Sequence, residues 1–557
     1  MPNSDKIRFA SRIAIIVIAA AALGHAAAYF YVTSDDALIS LRYAQNIALG
    51  HGAVYNPGAP AVEGFSNPVF TAIAAIAIRM GVAPIIAAKG IGVFSLLALV
   101  GVVAPLVRAI DGRGSSRIAA YAPVAALLLA TSSFAVFWSV AGLETVLHAL
   151  FVTAAVGLTM RETERGRVFL SPLAWLLVAA SRPEGAFIGA FAFVTQWLLL
   201  GLRPAIAIRW TALFGLPALA LVGLRYAYYG ALVPNTFIAK VSFGENSTYW
   251  GLQQLGGFAR EGGYWLLIPA LWFTVARLRT SGLSNTWLVA LSVLVGQAIF
   301  VVAVGGDFMP AYRFVIPAYP LLCALAAAGF AMLERFSRPL ALGLVAFATI
   351  GIPYSQSQAL SAHPLRFWLA AERPWHAYLD KASFEGTWLQ AHESVGNFIR
   401  LRSHQGDRLA VTEAGAIPFF AGIETIDMLG LNHREIALLW QRASRAAAAD
   451  RLLESQAGTP RFPGEPGSLA MHNYDVPSYV FKQRPRWIVI DGSYTADRGD
   501  FVPRLPVART IVQSLQFGAY RKVFEAKVYD GAALGLGPNR IDVVFELRGS
   551  RRRRPTN

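Results

Sequence analysis

The succession of apolar runs leaves this chain few ways to fold. Runs near 12–32, 88–107, 118–138, 143–160, 168–181, 185–202, 208–225, 263–277, 286–304, 313–333 and 338–353 alternate with short polar segments, and most approach the roughly 17–25 residues that cross a bilayer as a helix. The expectation is a polytopic α-helical membrane protein with about eleven transmembrane helices. The 168–202 stretch also reads as one broken hairpin. Residues 69–82 (FTAIAAIAIRMGVA) are too short and interrupted to cross, so a helix along the interface is expected there. With 55% hydrophobic and 15% charged residues, the composition excludes a soluble globular chain. A single cysteine, Cys323, excludes an intramolecular disulfide. Lys6, Arg8 and Arg12 precede the first run without a small-residue cleavage site, which predicts a retained first span.

The net charge of +16 would suit nucleic acid, but much of the excess sits in short segments between apolar runs, where it orients helices. Starting with the N-terminus inside, the inner turns carry Arg108, Arg113 and Arg117; Arg161, Arg165 and Arg167; Arg203 and Arg209; Arg277 and Arg279; Arg335 and Arg338. The outer turns then hold the chemically varied segments: 34–68, SVAGLET with Glu144, SRPEG with Arg182 and Glu184, VPNTFIAK with Asn235 and Lys240, and GGDFMPAYR with Asp307 and Arg313. The groups with chemistry to offer thus gather on the outer face of the membrane.

After Gly351 the long apolar runs stop. Residues 408–414, 486–491, 522–529 and 540–547 read as strands, and 389–401 and 433–453 as helices. The expected division is a membrane module over 1–353, with a first outer loop at 33–87, and an extracytoplasmic soluble α/β domain over 354–557. The segment EAGAIPFFAG followed by TIDMLGLNHREIA reads as strand, turn, strand, turn, helix, with Asp427 and His433 near strand ends. The final RRRRPTN reads as a solvated end, with contact to anionic lipid or polysaccharide as the alternative.

The segment 34–68 carries the adjacent carboxylates Asp35 and Asp36, then Arg42, Tyr43, Glu63 and Asn67. Two acids facing one cavity repel, which raises one pKa and leaves the other ionised, a basis for acid/base work or cation binding. The same pair also suits a helix N-terminus, and both readings stand together. Sugar transfer from a phosphate-linked donor needs a base for the acceptor hydroxyl and positive charge for the leaving phosphate. Asp35 or Asp36 can supply the first, and Arg182, Lys240, Arg313 and His433 the second. Each has a structural alternative: Arg182 pairing with Glu184, Glu144 at a helix start, Lys240 snorkelling, Asp307 pairing with Arg313, and Asp427 with His433 in a hydrogen-bonded turn. Zinc-type spacing, a P-loop and a nucleophile elbow are missing, which disfavours a membrane ATPase or serine hydrolase. A hard cation such as Mg²⁺ or Mn²⁺ can sit on adjacent carboxylates, but two residues do not define a site.

The motifs DDALISLRYAQNIALGHGAVYNPG, VEGFSNP, GLET, RPEG, VPNTFIAK, GGDFMPAYRFVIP and AGAIPFF with IDMLGL, in this order, resemble those of GT-C membrane glycosyltransferases of the AftB-type arabinofuranosyltransferase family. That resemblance implies a polyprenyl-phosphate sugar donor such as decaprenyl-phosphoryl arabinofuranose. It also implies essential acids in the first outer loop, carried here by Asp35 and Asp36, and inverting transfer to an extracytoplasmic cell-envelope acceptor, whether glycan, lipid or protein. Leu38 stands where an aromatic often follows, and Ser66 where threonine is common. The competing classes are a lipid-linked sugar flippase, which predicts charges at mid-membrane on broken helices, and a non-catalytic envelope-assembly subunit, which predicts that both aspartates tolerate Asn.

Overall fold

The computed structural model describes residues 2–30, 32–111, 116–240, 245–281, 285–307, 309–362, 384–442, 475–494, 500–529 and 540–548. Its first two thirds are helical, beginning with α1 (Pro2–Ala28), α2 (Asp35–Ala48), α3 (Pro68–Arg79) and α4 (Pro84–Asp111). Among the described residues five helices are long and apolar enough to cross a membrane: Pro84–Ile110, Pro204–Tyr229, Trp287–Val304, Ile316–Leu333 and Arg338–Leu360. A sixth candidate is the pair Arg117–Ala130 and Ser133–Val140, bent by 60°. Shorter apolar helices occupy Arg12–Ala28, Leu170–Ser181 and Glu184–Leu199, and α3 fills the stretch expected at the interface. The 168–202 region is a hairpin, turning at Arg182-Pro183.

Composition explains which helix lies at the centre. Ile316–Leu333 is buried over most of its length, and Ala324, Ala326, Ala327, Ala328 and Gly329 let neighbours approach closely. A Cβ on Gly329 would collide with the Pro269 carbonyl of the adjacent helix. By contrast, Pro204–Tyr229 is apolar yet barely covered by protein, as expected of a helix facing lipid. At the 60° break the freed polar groups find partners: Gln356 Oε1 accepts from Ser132 Oγ at 2.9 Å and from Phe134 N at 3.2 Å.

The C-terminal part is built on a six-stranded mixed sheet of β1 (Arg408–Val411), β2 (Glu424–Asp427), β3 (Trp487–Tyr494), β4 (Phe501–Pro503), β5 (Tyr520–Tyr529) and β6 (Arg540–Leu547). Its main order is β2-β1-β3-β6-β5. β1 runs parallel to both neighbours, while β6 is antiparallel to β3 and β5. Alternation sorts the apolar side chains onto two faces. Ala410, Ile488 and Ile490 pack with Val476, Val480, Val507 and Ile511; Leu409, Val411, Trp487 and Val489 pack with Val395, Ile399 and Ile417. All four strands read from sequence are present, and the helix over 389–401 lies within Phe384–Arg402. The helix expected over 433–453 is described only through 442, the remainder lying outside the described residues.

One expectation is corrected. Residues read as a strand, AIPFF, form the short helix Ala416–Ala421. Local β-propensity loses because the first amide groups of this helix find an acceptor far away in sequence, the Asp35 carboxylate.

Candidate active site

Ser34, extended ahead of α2, makes no side-chain cap, so the first turn presents Asp35 and Asp36 outward to other parts of the chain. Asp35 accepts hydrogen bonds from Gly415 N (3.0 Å) and Ala416 N (2.6 Å). Gly415 is required for this approach, because a Cβ there would meet both the carbonyl and the carboxylate of Asp35. Burial, and next the neighbouring Glu413, push the Asp35 carboxyl up to about 7 against the opposing pull of His392 and the Ala416 amide. The two aspartates therefore differ in surroundings: Asp35 docks the C-terminal domain, and Asp36 faces two cavities.

The first cavity, about 440 Å³, is lined largely by apolar groups, among them Phe187, Phe237, Phe300, Ala303, Val304 and Phe314. Its polar end holds Asp36, Ser40, Asn67, Glu144, Arg182, Glu184, Asp307 and Arg313. The second, about 760 Å³, is lined by Asp35, Asp36, Trp138, Trp250, Gln254, Arg260, Glu261, Asp307 and Tyr312 and reaches Thr412, Glu413, Arg504 and Arg540 of the C-terminal domain. Asp36, Ile39, Asp307 and Leu431 line both.

A buried ion-pair network shapes the first cavity. Arg182, drawn from the turn between two helices, pairs with both Glu144 and Glu184. Glu144 also accepts from Asn67 Nδ2 at 2.6 Å, and Asn67 Oδ1 takes the hydroxyls of Ser40 and Thr71, each at 3.0 Å. Arg313 donates through Nε to Asp307 Oδ2 at 2.5 Å, its guanidinium 5.2 Å from the Phe314 ring centroid. The Arg182–Glu184 and Asp307–Arg313 pairings expected as structural alternatives thus form, and they lie inside the cavity.

Arg42, Tyr43, Glu63, Asn235, Asp427 and His433 line neither cavity and are engaged elsewhere. Arg42 donates to the carbonyls of Tyr55 (2.8 Å) and Ile423 (2.7 Å), to Pro418 O, and to Asn56 Oδ1 (3.1 Å). Tyr43 donates to Val62 O at 2.7 Å, Asn235 to the carbonyls of Gly430 (2.6 Å) and Leu431 (3.0 Å), and Glu63 pairs with Arg225 at 2.6 Å. Asp427 caps its own turn by accepting from Leu429 N (2.9 Å) and Asn432 N (2.8 Å). His433 packs edge-on against Tyr479, with burial lowering its pKa. Lys240 ends the helix Asn235–Lys240, and its side chain lies outside the described residues. Arg42→Ala is expected to cost roughly 2–3 kcal/mol, since it strands several buried carbonyls. Thermal unfolding in detergent and protease sensitivity of the interdomain face measure it; an unchanged midpoint would show that water replaces the guanidinium.

Sequence reasoning missed Ser40, Arg260, Glu261, Tyr312, Glu413, Arg504 and Arg540. Glu413 lies just before AGAIPFF, and Arg260-Glu261 sits in an Arg-Glu-Gly-Gly interruption ahead of an apolar run. There the helix is broken, with Gly262 at φ 106°. Such a break is a recognisable signal, because irregular helical turns recur at functional sites.

Comparisons with known proteins agree with this architecture. Residues 382–538 match a domain of unknown function (DUF8728). The chain is 25% identical over 370 residues to a terminal β-(1→2)-arabinofuranosyltransferase of Corynebacterium glutamicum, covering 57% of this chain and 51% of the relative. It is 28% identical over 335 residues to the Mycobacterium tuberculosis protein of that name, covering 53% and 52%. The chain therefore spans about half the length of the relatives it matches. Among solved structures, the archaeal oligosaccharyltransferase AglB of Archaeoglobus fulgidus, in complex with an inhibitory peptide and a dolichol-phosphate, superposes with a TM-score of 0.52 at 12% identity, over 93% of this chain and 80% of that one. Helix content and these likenesses converge: this is a multi-pass membrane protein with the GT-C glycosyltransferase fold, similar in sequence to terminal arabinofuranosyltransferases.

Proposed function

We propose that the chain is an inverting glycosyltransferase that moves a sugar, arabinofuranose first among candidates, from a polyprenyl-phosphate donor to a hydroxyl of a cell-envelope glycan or glycoconjugate. The observation that carries this reading is the place of Asp36 in the wall common to two cavities of different character. The apolar cavity with Arg182 and Arg313 suits the lipid end and phosphate of the donor; the wider one, with Trp138, Trp250, Tyr312, Gln254 and Glu261, suits a hydroxylated acceptor. Among the described residues the one hydrogen bond of Arg313 runs through Nε, so its terminal nitrogens are available to an oxyanion. Asp36 takes the acceptor proton as the acceptor oxygen bonds to the anomeric carbon. On the opposite side the bond to the phosphate oxygen breaks, its electron pair leaves with the phosphate, and the configuration inverts.

The sugar is suggested by the names of the two relatives, and the lipid phosphate by the dolichol-phosphate in the solved neighbour. In the membrane layout that goes with this reading the N-terminus lies inside, about eleven helices cross the cytoplasmic membrane, and the sheet domain that follows the helix Arg338–Ala362 lies outside over the acceptor. The basic turns support it: Glu144 begins and Arg161 ends the same helix region, so the arginine-rich turn lies at the end remote from the site. Purified protein in detergent, given a synthetic polyprenyl-phosphate arabinofuranose and an arabinan fragment, is expected to form a new glycosidic linkage. Folded protein that transfers none of a panel of polyprenyl-phosphate sugars would overturn the reading. Ala303→Phe, which fills the apolar cavity, is expected to raise the donor KM about tenfold, or about 1.4 kcal/mol, while the acceptor KM stays near wild type. Equal changes in both would argue against separate donor and acceptor cavities.

A further inference from the structure

The sheet domain carries a polar cluster that the proposed transfer step does not itself employ. His392 on the helix Phe384–Arg402, Glu413 just past β1 and Asp542 on β6 converge from three elements. His392 Nε2 lies 2.8 Å from Glu413 Oε2 and 2.9 Å from Asp542 Oδ2. One ligand atom from each residue falls within 4.8 Å of the other two. His392 and Asp542 are fully buried.

One ring nitrogen has either a single hydrogen or a single lone pair, so it cannot satisfy two carboxylates in line at once. Apart from this contact, neither oxygen of Asp542 takes a hydrogen bond from any described residue. The cluster also holds three carboxylates, Glu413, Asp491 and Asp542, against two arginines, Arg504 and Arg540, so one more positive charge balances it. Asp542 sits directly opposite Asp491 in the β3–β6 ladder, which places two carboxylates on one face. Arg540 and Arg504 are engaged by Asp491 and Glu413, and among the described residues neither pairs with Asp542. That charge comes from a protonated His392 or from a bound cation, and a single ring nitrogen facing two carboxylates favours the cation.

We propose that His392, Glu413 and Asp542 bind a divalent transition-metal ion. One imidazole and two carboxylates form a donor set that suits zinc, with further positions left open. Glu413 lines the wider cavity, which gives the ion a path in from solvent. The bound ion ties the helix Phe384–Arg402 and β6 to the turn at 412–415, and that turn holds Asp35 through Gly415. The site thus serves to position the C-terminal domain over the aspartate pair. It stands apart from the assignment of sugar transfer, because metal content is its readout.

The test uses full-length protein stripped with EDTA, exposed to Zn²⁺ and freed of excess by gel filtration. Wild type is expected to retain about one zinc per chain by mass spectrometry and to melt at higher temperature than the stripped form. Asp542→Asn and His392→Gln are expected to retain about a tenth of that or less. Zinc retained undiminished by folded Asp542→Asn, or no retention of Zn²⁺, Co²⁺ or Mn²⁺ by wild type, would overturn the proposal in favour of an imidazolium shared between two acids. Should the variants fail to fold, wild-type crystals soaked in zinc decide the matter. An anomalous peak among the three side chains supports the site, and a peak elsewhere or none overturns it.

Discussion

Asp36→Asn is expected to reduce sugar transfer by roughly 10²–10⁴-fold, the range that a positioned general base contributes, while the protein stays folded. The amide keeps the shape of the side chain but cannot accept the acceptor proton. Because Asp36 lines both cavities, the loss should appear in kcat and leave binding of donor and acceptor, measured separately on the inactive variant, near wild type. Asp35→Asn should behave differently. Its oxygens accept the Gly415 and Ala416 amides, so an amide nitrogen in one of these places opposes a donor with a donor. The expected result is a lower melting temperature together with the loss of activity. Full activity in Asp36→Asn with none in a folded, stable Asp35→Asn would reverse the two roles. Activity in both would remove catalysis by this pair altogether.

Arg182→Ala is expected to cost about 3–5 kcal/mol of stability, the usual result of removing one partner from a buried ion-pair network. Here two acids are stranded together: Glu144 and Glu184 are both buried, and both hold the same guanidinium. The apolar cavity would then have Asp36, Glu144, Glu184 and Asp307 facing Arg313 alone. Adding Glu184→Gln to Arg182→Ala should recover part of the loss, because one stranded charge is removed. Denaturant unfolding in detergent measures both variants. A single-variant loss below about 1 kcal/mol, typical of exposed pairs, would show that solvent enters the network freely. Arg182→Lys should keep much of the stability but weaken phosphate binding, since a point charge cannot reproduce the two-pronged grip.

Helix-forming segments and strands were legible because each rests on local pattern. Apolar runs marked the bundle, and alternation marked β3, β5 and β6 close to their observed ends. Asp35, Asp36, Asn67, Glu144, Arg182, Glu184, Asp307 and Arg313 were also legible as candidates from their place in the turns between apolar runs, and they line the two cavities. Arg42, Tyr43, Glu63, Asn235 and Asp427 carry the same polar chemistry and spacing signals, yet their atoms are spent on carbonyls, amides or partners at the domain junction. Linear order does not distinguish these two fates. Glu413, Arg504 and Arg540 were missed for the complementary reason: in sequence they belong to an ordinary-looking sheet domain.

The sequence alone determined that this chain crosses a membrane many times, that a mixed α/β unit follows, and that Asp35, Asp36, Glu144, Arg182, Glu184, Asp307 and Arg313 fall between apolar runs. Hydrophobic period and charge distribution are local properties, and they survive without knowledge of contacts. Only the tertiary structure decided which of two adjacent aspartates faces both cavities and which one caps a helix some 380 positions away. That choice depends on the docking of the C-terminal domain, where long-range hydrogen bonds override local propensity, as the helix at Ala416–Ala421 shows.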